Sequence, residues 1–113
     1  MTVTFHPELT REERRSLHLH AFIAARLERD PAVTVQRAHR NLEVMRERHP
    51  GAERLFEEWE MLLDRPIRDL AVALVDPSPR GRELRHVTPF AGVLSAPERA
   101  EVYRDFAEAE ARR

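Results

Sequence analysis

Signals that begin a helix recur along the whole chain, and they constrain its fold more than any other feature. Thr10–Glu13 and Ser95–Glu98 each have the capping-box pattern, in which a hydroxyl residue is followed three positions later by Glu. Asp30-Pro31 and Ser78-Pro79 each place a capping side chain before a proline. The first turn of a helix tolerates proline because the missing N–H needs no partner there. These four signals predict several separate helices.

Between these signals, apolar residues recur at the spacing of a helix that buries one face, as in Leu19, Ile23 and Leu27. A broader apolar face surrounds Trp59. No segment alternates apolar and polar residues over the length of a strand. We therefore predict an all-α fold and a single helical domain, residues 1–113. It should be a compact bundle of about five to six short helices, with a loop shaped by Pro and Gly before the terminal helix.

The predicted helices run over about 10–29, 31–49, 52–64, 66–75 and 80–86, with a terminal helix from Ser95 onward. The second of them carries a narrow apolar seam of the kind that two packed helices share, formed by Val35, Ala38, Leu42 and Met45. One hypothesis for function follows from this seam, namely that the chain is a structural protein that associates with itself as a homo-oligomer.

Composition excludes several classes of protein. The 19 basic residues against 20 acidic ones give a net charge of −1, so non-specific affinity for nucleic acid should be weak. There is no cysteine, which removes disulfides and cysteine-ligated zinc. Residues 1–13 contain no apolar signal core, and no run approaches the ~20 apolar residues that span a membrane. We expect an intracellular, cytoplasmic protein with no membrane partner.

Residue chemistry gives no sign of catalysis. His18 and His20 are two positions apart, so on a helix they point to nearly opposite sides and cannot share a metal ion. His39 and Glu43 have the spacing of two ligands on one face, but a pair is not a site. Phosphate-binding glycine loops are absent, and the serines read as helix caps. We predict no enzyme, no catalytic residue, no metal and no cofactor, and we expect the histidines to be solvated or near helix ends.

The segment from Asp76 to Ser95 differs from the rest of the chain. It holds three of the eight prolines and two of the three glycines, and residues 77–95 carry three arginines and one glutamate. Its run from Phe90 to Leu94 has two interpretations: a structural plug of the core, or an apolar anchor on which a partner docks. Under the second interpretation the predicted partner-binding residues are Arg80, Arg82, Arg85, His86, Phe90 and Gly92.

A further hypothesis assigns residues 66–86 to a helix-turn-helix in a DNA-binding regulator. The turn at 76–78 and the three arginines that follow favour it. The second helix is short, however, and it lacks the Asn, Gln and Ser side chains that usually read bases. DNA is therefore the less favoured partner.

From Trp59 to Phe106 the sequence resembles a widespread family of small bacterial proteins. The signature is a Trp followed by LLD and a proline, and then RELR, PFAGVLS and an ER pair. The matching residues are Trp59, Leu62, Leu63, Asp64, Pro66, Arg82, Glu83, Leu84, Arg85, Pro89, Phe90, Ala91, Gly92, Val93, Leu94, Glu98, Arg99 and Phe106. Thr88 stands where the family has Ser, and the first half of the chain matches more loosely.

The resemblance implies a function that the residues alone do not. The family consists of antitoxin-like components of gene pairs of the toxin–antitoxin type. By that resemblance the chain would bind and neutralise a co-encoded protein toxin, for example one of a nucleotidyltransferase type. It implies no catalytic residue.

Overall fold

The computed structural model describes residues 8–113, and in that range it shows six α-helices and no strand. A single turn of 3₁₀ helix at Pro50–Ala52 precedes the third α-helix. The predicted all-α fold is confirmed, with helix ends within about two residues of those expected. The first seven residues of the predicted domain, and of the stretch without a signal core, lie outside the described range. The helices are α1 (Arg11–Arg29), α2 (Pro31–Arg48), α3 (Glu53–Leu63), α4 (Ile67–Leu74), α5 (Pro79–His86) and α6 (Ala96–Ala111).

Three of the four helix-start signals form the bonds that the sequence predicts. Thr10 and Ser95 both form complete capping boxes, with the hydroxyl accepting a backbone N–H and the Glu three positions later accepting in return. The hydroxyl of Ser78 accepts from the backbone N–H of Gly81. Asp30 is the exception, because its side chain makes no capping bond and Pro31 alone marks the start of α2.

Helix α1 lies at the centre of the molecule. It packs most extensively on α4 and also contacts α2, α5 and α6, while α3 packs on α2, α4 and α5. The apolar faces of these helices form one core, and burial of this area supplies most of the drive to fold. The buried core residues are Ile23, Ala24, Leu27, Ala38, Leu42, Phe56, Trp59, Leu63, Leu70, Ala71, Leu74, Leu84, Phe90, Leu94 and Val102.

The apolar seam of α2 belongs to this core. Ala38 and Leu42 are buried, and Val35 and Met45 pack partly buried against them. Because the seam faces the inside of the molecule, it offers no exposed stripe to a second copy of the chain.

The expectation that the histidines are solvated is wrong for two of them. His18 and His20 both lie on α1, and each is only 1% exposed. The ring of His18 packs against those of Phe22 and Phe106, at 5.4 and 5.5 Å between centroids, and its Nε2 is 2.8 Å from a carboxylate oxygen of Asp105. Asp105 thus gives one ring nitrogen of His18 a partner, while its Nδ1 is covered from solvent and has none.

Across residues 8–113, none of the helices combines the length and the apolar character that crossing a bilayer requires.

Candidate partner-binding site

Helix α5 approaches the turn that follows α4 closely because Gly81 has no side chain. A Cβ at Gly81 would lie 2.1 Å from the backbone oxygen of Asp76. The same oxygen accepts a hydrogen bond from Nη1 of Arg85 at 2.5 Å, and the carbonyl of Leu74 lies 3.4 Å from that nitrogen. Arg85 is thus only 4% exposed. Burial lowers the pKa of this guanidinium, while the charge of Asp76 opposes the shift.

Trp59 of α3 connects the end of α5 to the loop that follows. Its Nε1–H donates to the carbonyl of Leu84 at 2.9 Å, and its ring meets that of Phe90 edge to face at 5.7 Å between centroids. Both rings are about 1% exposed. Phe90 therefore plugs the core, and the structural interpretation of the Phe90–Leu94 run holds for this side chain.

His20 of α1 fixes the start of the loop at residues 87–94. Its Nδ1 lies 2.7 Å from the carbonyl of Ser16, so this nitrogen donates, and Nε2 must then accept from the hydroxyl of Thr88 at 2.9 Å. The Thr88 oxygen in turn accepts the backbone N–H of Phe90. Burial lowers the pKa of His20 to about 4, with the nearby charge of Arg85 adding to the effect. The imidazole is therefore neutral at physiological pH.

Asn41 of α2 fixes the middle of the same loop. Its side-chain amide donates to the carbonyls of Pro89 and Ala91, both at 2.8 Å. Beside it, Gly92 has φ +79°, and a Cβ there would lie 2.3 Å from Nη2 of Arg37. Both the dihedral angle and the approach of Arg37 favour glycine at this position.

The other arginines of α5 are paired with acids. Arg80 meets the carboxylate of Glu58 through Nε and Nη2 and also contacts Glu83, and these bonds raise its pKa. Nη1 of Arg82 lies 3.1 Å from Glu13. The pKa of Glu13 is lowered, chiefly by its capping bonds with Thr10 and further by Arg82. The basic character that the sequence suggests for this segment is thus largely neutralised.

The structure separates the predicted partner-binding residues into two sets. His86 and Gly92 are exposed, Arg80 is half-exposed, and Arg82 is partly exposed. Phe90 is buried in the core, and its role is in fixing the shape of the segment. Arg85 is also buried, and the small part of it that reaches the surface lines the groove described next.

A groove of about 500 Å³ lies between the first turns of α1 and helix α5. We call it the α1–α5 groove. Three of the predicted partner-binding residues, Arg82, Arg85 and His86, lie next to α1 in this groove. No pattern in the sequence predicts this contact with α1. The remaining lining residues are Thr10, Glu12, Glu13 and Ser16.

Sequence reasoning missed the residues of α1 and α2 that hold the loop. Asn41 lies in mid-helix, where Asn is unfavourable unless its amide has a specific partner, and that was a usable signal. His20 and Arg37 carried none, because their partners at Thr88 and Gly92 are more than 50 positions away.

Metal ligands do not gather at any one place in the described part of the chain: no group of three or more His, Asp or Glu side chains could hold an ion there. His39 and Glu43 therefore have no third ligand beside them in the described residues.

Comparisons with protein-family models, with curated proteins and with solved structures found no match to this chain. The resemblance of residues 59–106 to the antitoxin-like family therefore stays a prediction.

Proposed function

We propose that the chain is a non-enzymatic, antitoxin-like protein of the cytoplasm that binds and neutralises a co-encoded protein toxin, such as one of the nucleotidyltransferase type. The proposed surface consists of exposed residues of α5 and of the following loop, His86, Ala91 and Gly92, together with the α1–α5 groove, which His86 lines. Its residues from α5 and the loop fall within the stretch that carries the family resemblance, whereas the α1 side of the groove lies outside that stretch.

One observation carries the proposal: the loop is held in a single shape by side chains of three other helices. Trp59, His20 and Asn41 each bond to it or to the end of α5. A segment fixed before its partner arrives loses little conformational entropy on binding, which raises affinity without further contacts. The arrangement presents Ala91 and Gly92 outward while Phe90 anchors the loop from within.

The helix-turn-helix alternative has less support. Of the arginines that it needs on α5, Arg80 and Arg82 are paired with carboxylates and Arg85 is buried against backbone carbonyls. Phosphate contacts would have to displace Glu58 and Glu13, whose charges repel DNA. A gel shift with the chain's own promoter at two salt concentrations tests it, since real phosphate contacts give a steep salt dependence.

Co-expression with the product of the adjacent reading frame tests the proposal. We expect that product to arrest growth when it is expressed alone, and this chain to restore growth. A product that is harmless alone, or that remains toxic beside this chain, contradicts the proposal.

A variant pair then tests the surface. Ala91→Arg adds bulk and charge to the exposed loop without touching the positive-φ glycine, and it should weaken the complex by at least tenfold. Ala107→Arg makes the same change at an exposed position of α6 and should leave the complex within about twofold of the wild type. Equal thermal stability of the two variants shows that the effect is on binding.

A further inference from the structure

Arg85 is a buried cation without a carboxylate partner. Its side chain is 4% exposed, and none of the ion pairs in the described part of the chain includes it. Nη1 bonds to the carbonyls of Asp76 and Leu74, but Nη2 is covered from solvent and has no hydrogen-bond partner. The guanidinium is therefore satisfied on one side only.

The two carboxylates whose charges favour its charged form are committed to other groups. Asp76 Oδ1 accepts the backbone N–H of Ser78 at 2.9 Å. Glu13 accepts the backbone N–H of Thr10 with one oxygen and Arg82 with the other. Among the described residues, no ion pair joins either acid to Arg85, although both charges favour its charged form.

A buried charge in this state is a strong attractor for an acid. Removing a guanidinium from water is unfavourable, and only a well-placed carboxylate with hydrogen bonds offsets it. The planar fork of arginine matches the two oxygens of a carboxylate, which is why such pairs are common at interfaces.

Arg85 also forms part of the wall of the α1–α5 groove, where Ser16 and His86 offer further polar groups. We propose that this groove receives an Asp or Glu side chain of the protein partner, which pairs with the guanidinium of Arg85. This inference rests on the proposed function, because it names the chemistry by which the same surface recognises the toxin.

The charges at the rim favour a single acidic side chain over a polyanion. Glu12 and Glu13 line the same groove, so a nucleic acid or a strongly acidic segment would be repelled. One carboxylate on an otherwise neutral or basic partner segment suits the groove, since the exposed Glu12 can then attract its basic neighbours.

The test measures the affinity of the purified chain for the co-encoded product by calorimetry. Arg85→Met keeps the length and apolar contacts of the side chain but removes the charge, and it should weaken binding by roughly 30-fold or more. Arg85→Lys keeps the charge but not the planar fork, and its affinity should lie between those of the wild type and Arg85→Met. Because Arg85 also bonds to α4, circular dichroism must show that each variant is folded at the temperature of the titration.

A second variant tests the groove without altering Arg85. Ser16→Leu fills the groove from α1 and should weaken binding by about tenfold through steric exclusion of one side chain. Ala25→Leu is the matched control, since it lies nine positions along α1, exposed and on the opposite face, and should leave affinity within about twofold.

The partner is then scanned by Asp→Asn and Glu→Gln substitutions. One of them should reproduce the loss and should have no further effect when combined with Arg85→Met, as a double-mutant cycle requires of a direct pair. If the wild type binds but folded Arg85→Met and Ser16→Leu both bind within threefold of it, the inference fails and the proposed function stands. If the wild type does not bind the product, both fail.

Discussion

Helices α1 and α6 and the loop at residues 87–94 are all well defined in shape, but their shapes have different sources. Each of the two helices begins with a capping box whose bonds span three residues. The loop is held by bonds to residues 48 and 68 positions away, from Asn41 to Pro89 and from His20 to Thr88. Local chemistry therefore defines where the helices start, whereas the loop takes its shape only when the bundle is assembled.

The largest effect expected is that of removing Trp59, which joins α5 and the loop to the core. Trp59→Ala leaves a cavity beside Phe90 and leaves the carbonyl of Leu84 without its donor. We expect a loss of about 3–5 kcal/mol in the free energy of unfolding, measured by urea denaturation. Met61→Ala on the same helix, at a site that is 66% exposed, should change it by less than about 0.5 kcal/mol. Similar losses in the two variants would contradict the packing described for Trp59.

Acid should weaken the connection between α1 and the loop through His20. Its folded-state pKa of about 4 lies below its ordinary value, so protons bind preferentially to the unfolded chain. The stabilisation is therefore complete above pH ~6.5 and is lost as pH falls toward 4. Between pH 7.5 and 4.5 this contributes a loss of about 2–3 kcal/mol.

Urea denaturation of the wild type and of His20→Gln across that pH range isolates this contribution. The variant should start less stable at pH 7.5, since it loses the bonds to Ser16 and Thr88. Between pH 7.5 and 4.5 the variant should then lose about 2–3 kcal/mol less stability than the wild type loses. An unchanged pH dependence in His20→Gln would show that other groups control the acid response.

Gly92 is held both by its own positive φ and by the approach of Arg37 from α2. Gly92→Ala must accept a positive φ and displace the guanidinium of Arg37, so we expect a loss of about 1–2 kcal/mol, measured by thermal denaturation. Gly51→Ala is the control, because nothing lies within 4 Å of a Cβ there. It should be neutral or slightly stabilising. A Gly92→Ala variant as stable as Gly51→Ala would mean that the loop adopts another conformation in solution.

The smallest effect belongs to the locally determined helices. Thr10→Ala removes the capping bond to the N–H of Glu13 and should lower the free energy of unfolding by about 1 kcal/mol. Gln36→Ala, at an exposed position within α2, serves as a control for general helix effects and should lower it by no more than about 0.5 kcal/mol. If Thr10→Ala lowered the free energy of unfolding as much as Trp59→Ala does, the distinction between local and long-range determinants would fail.

The same distinction explains what the sequence could predict. Caps, prolines and apolar spacing are local, and they were enough for the helix order, the all-α class and the apolar face around Trp59. The burial of His18, His20 and Arg85 was not predictable, because it depends on groups that only the folded chain brings next to them. Glu58 and Glu13, which pair with Arg80 and Arg82, could not be named either, since they lie 22 and 69 positions away. The mid-helix place of Asn41 was a local signal, but it did not identify the loop as its partner.

Hydrogen exchange tests the central claim most directly, namely that long-range bonds hold the loop in the shape that a partner recognises. In the free wild type, the amides of Phe90 and Val93 should be protected, since both are hydrogen bonded, and those of Ala91 and Gly92 should exchange quickly. Addition of the co-encoded product should protect Ala91 and Gly92. In Asn41→Ala the protection of the loop should fall while that of α1 persists. A loop that exchanges freely in the wild type, or that the product leaves unchanged, would contradict the claim.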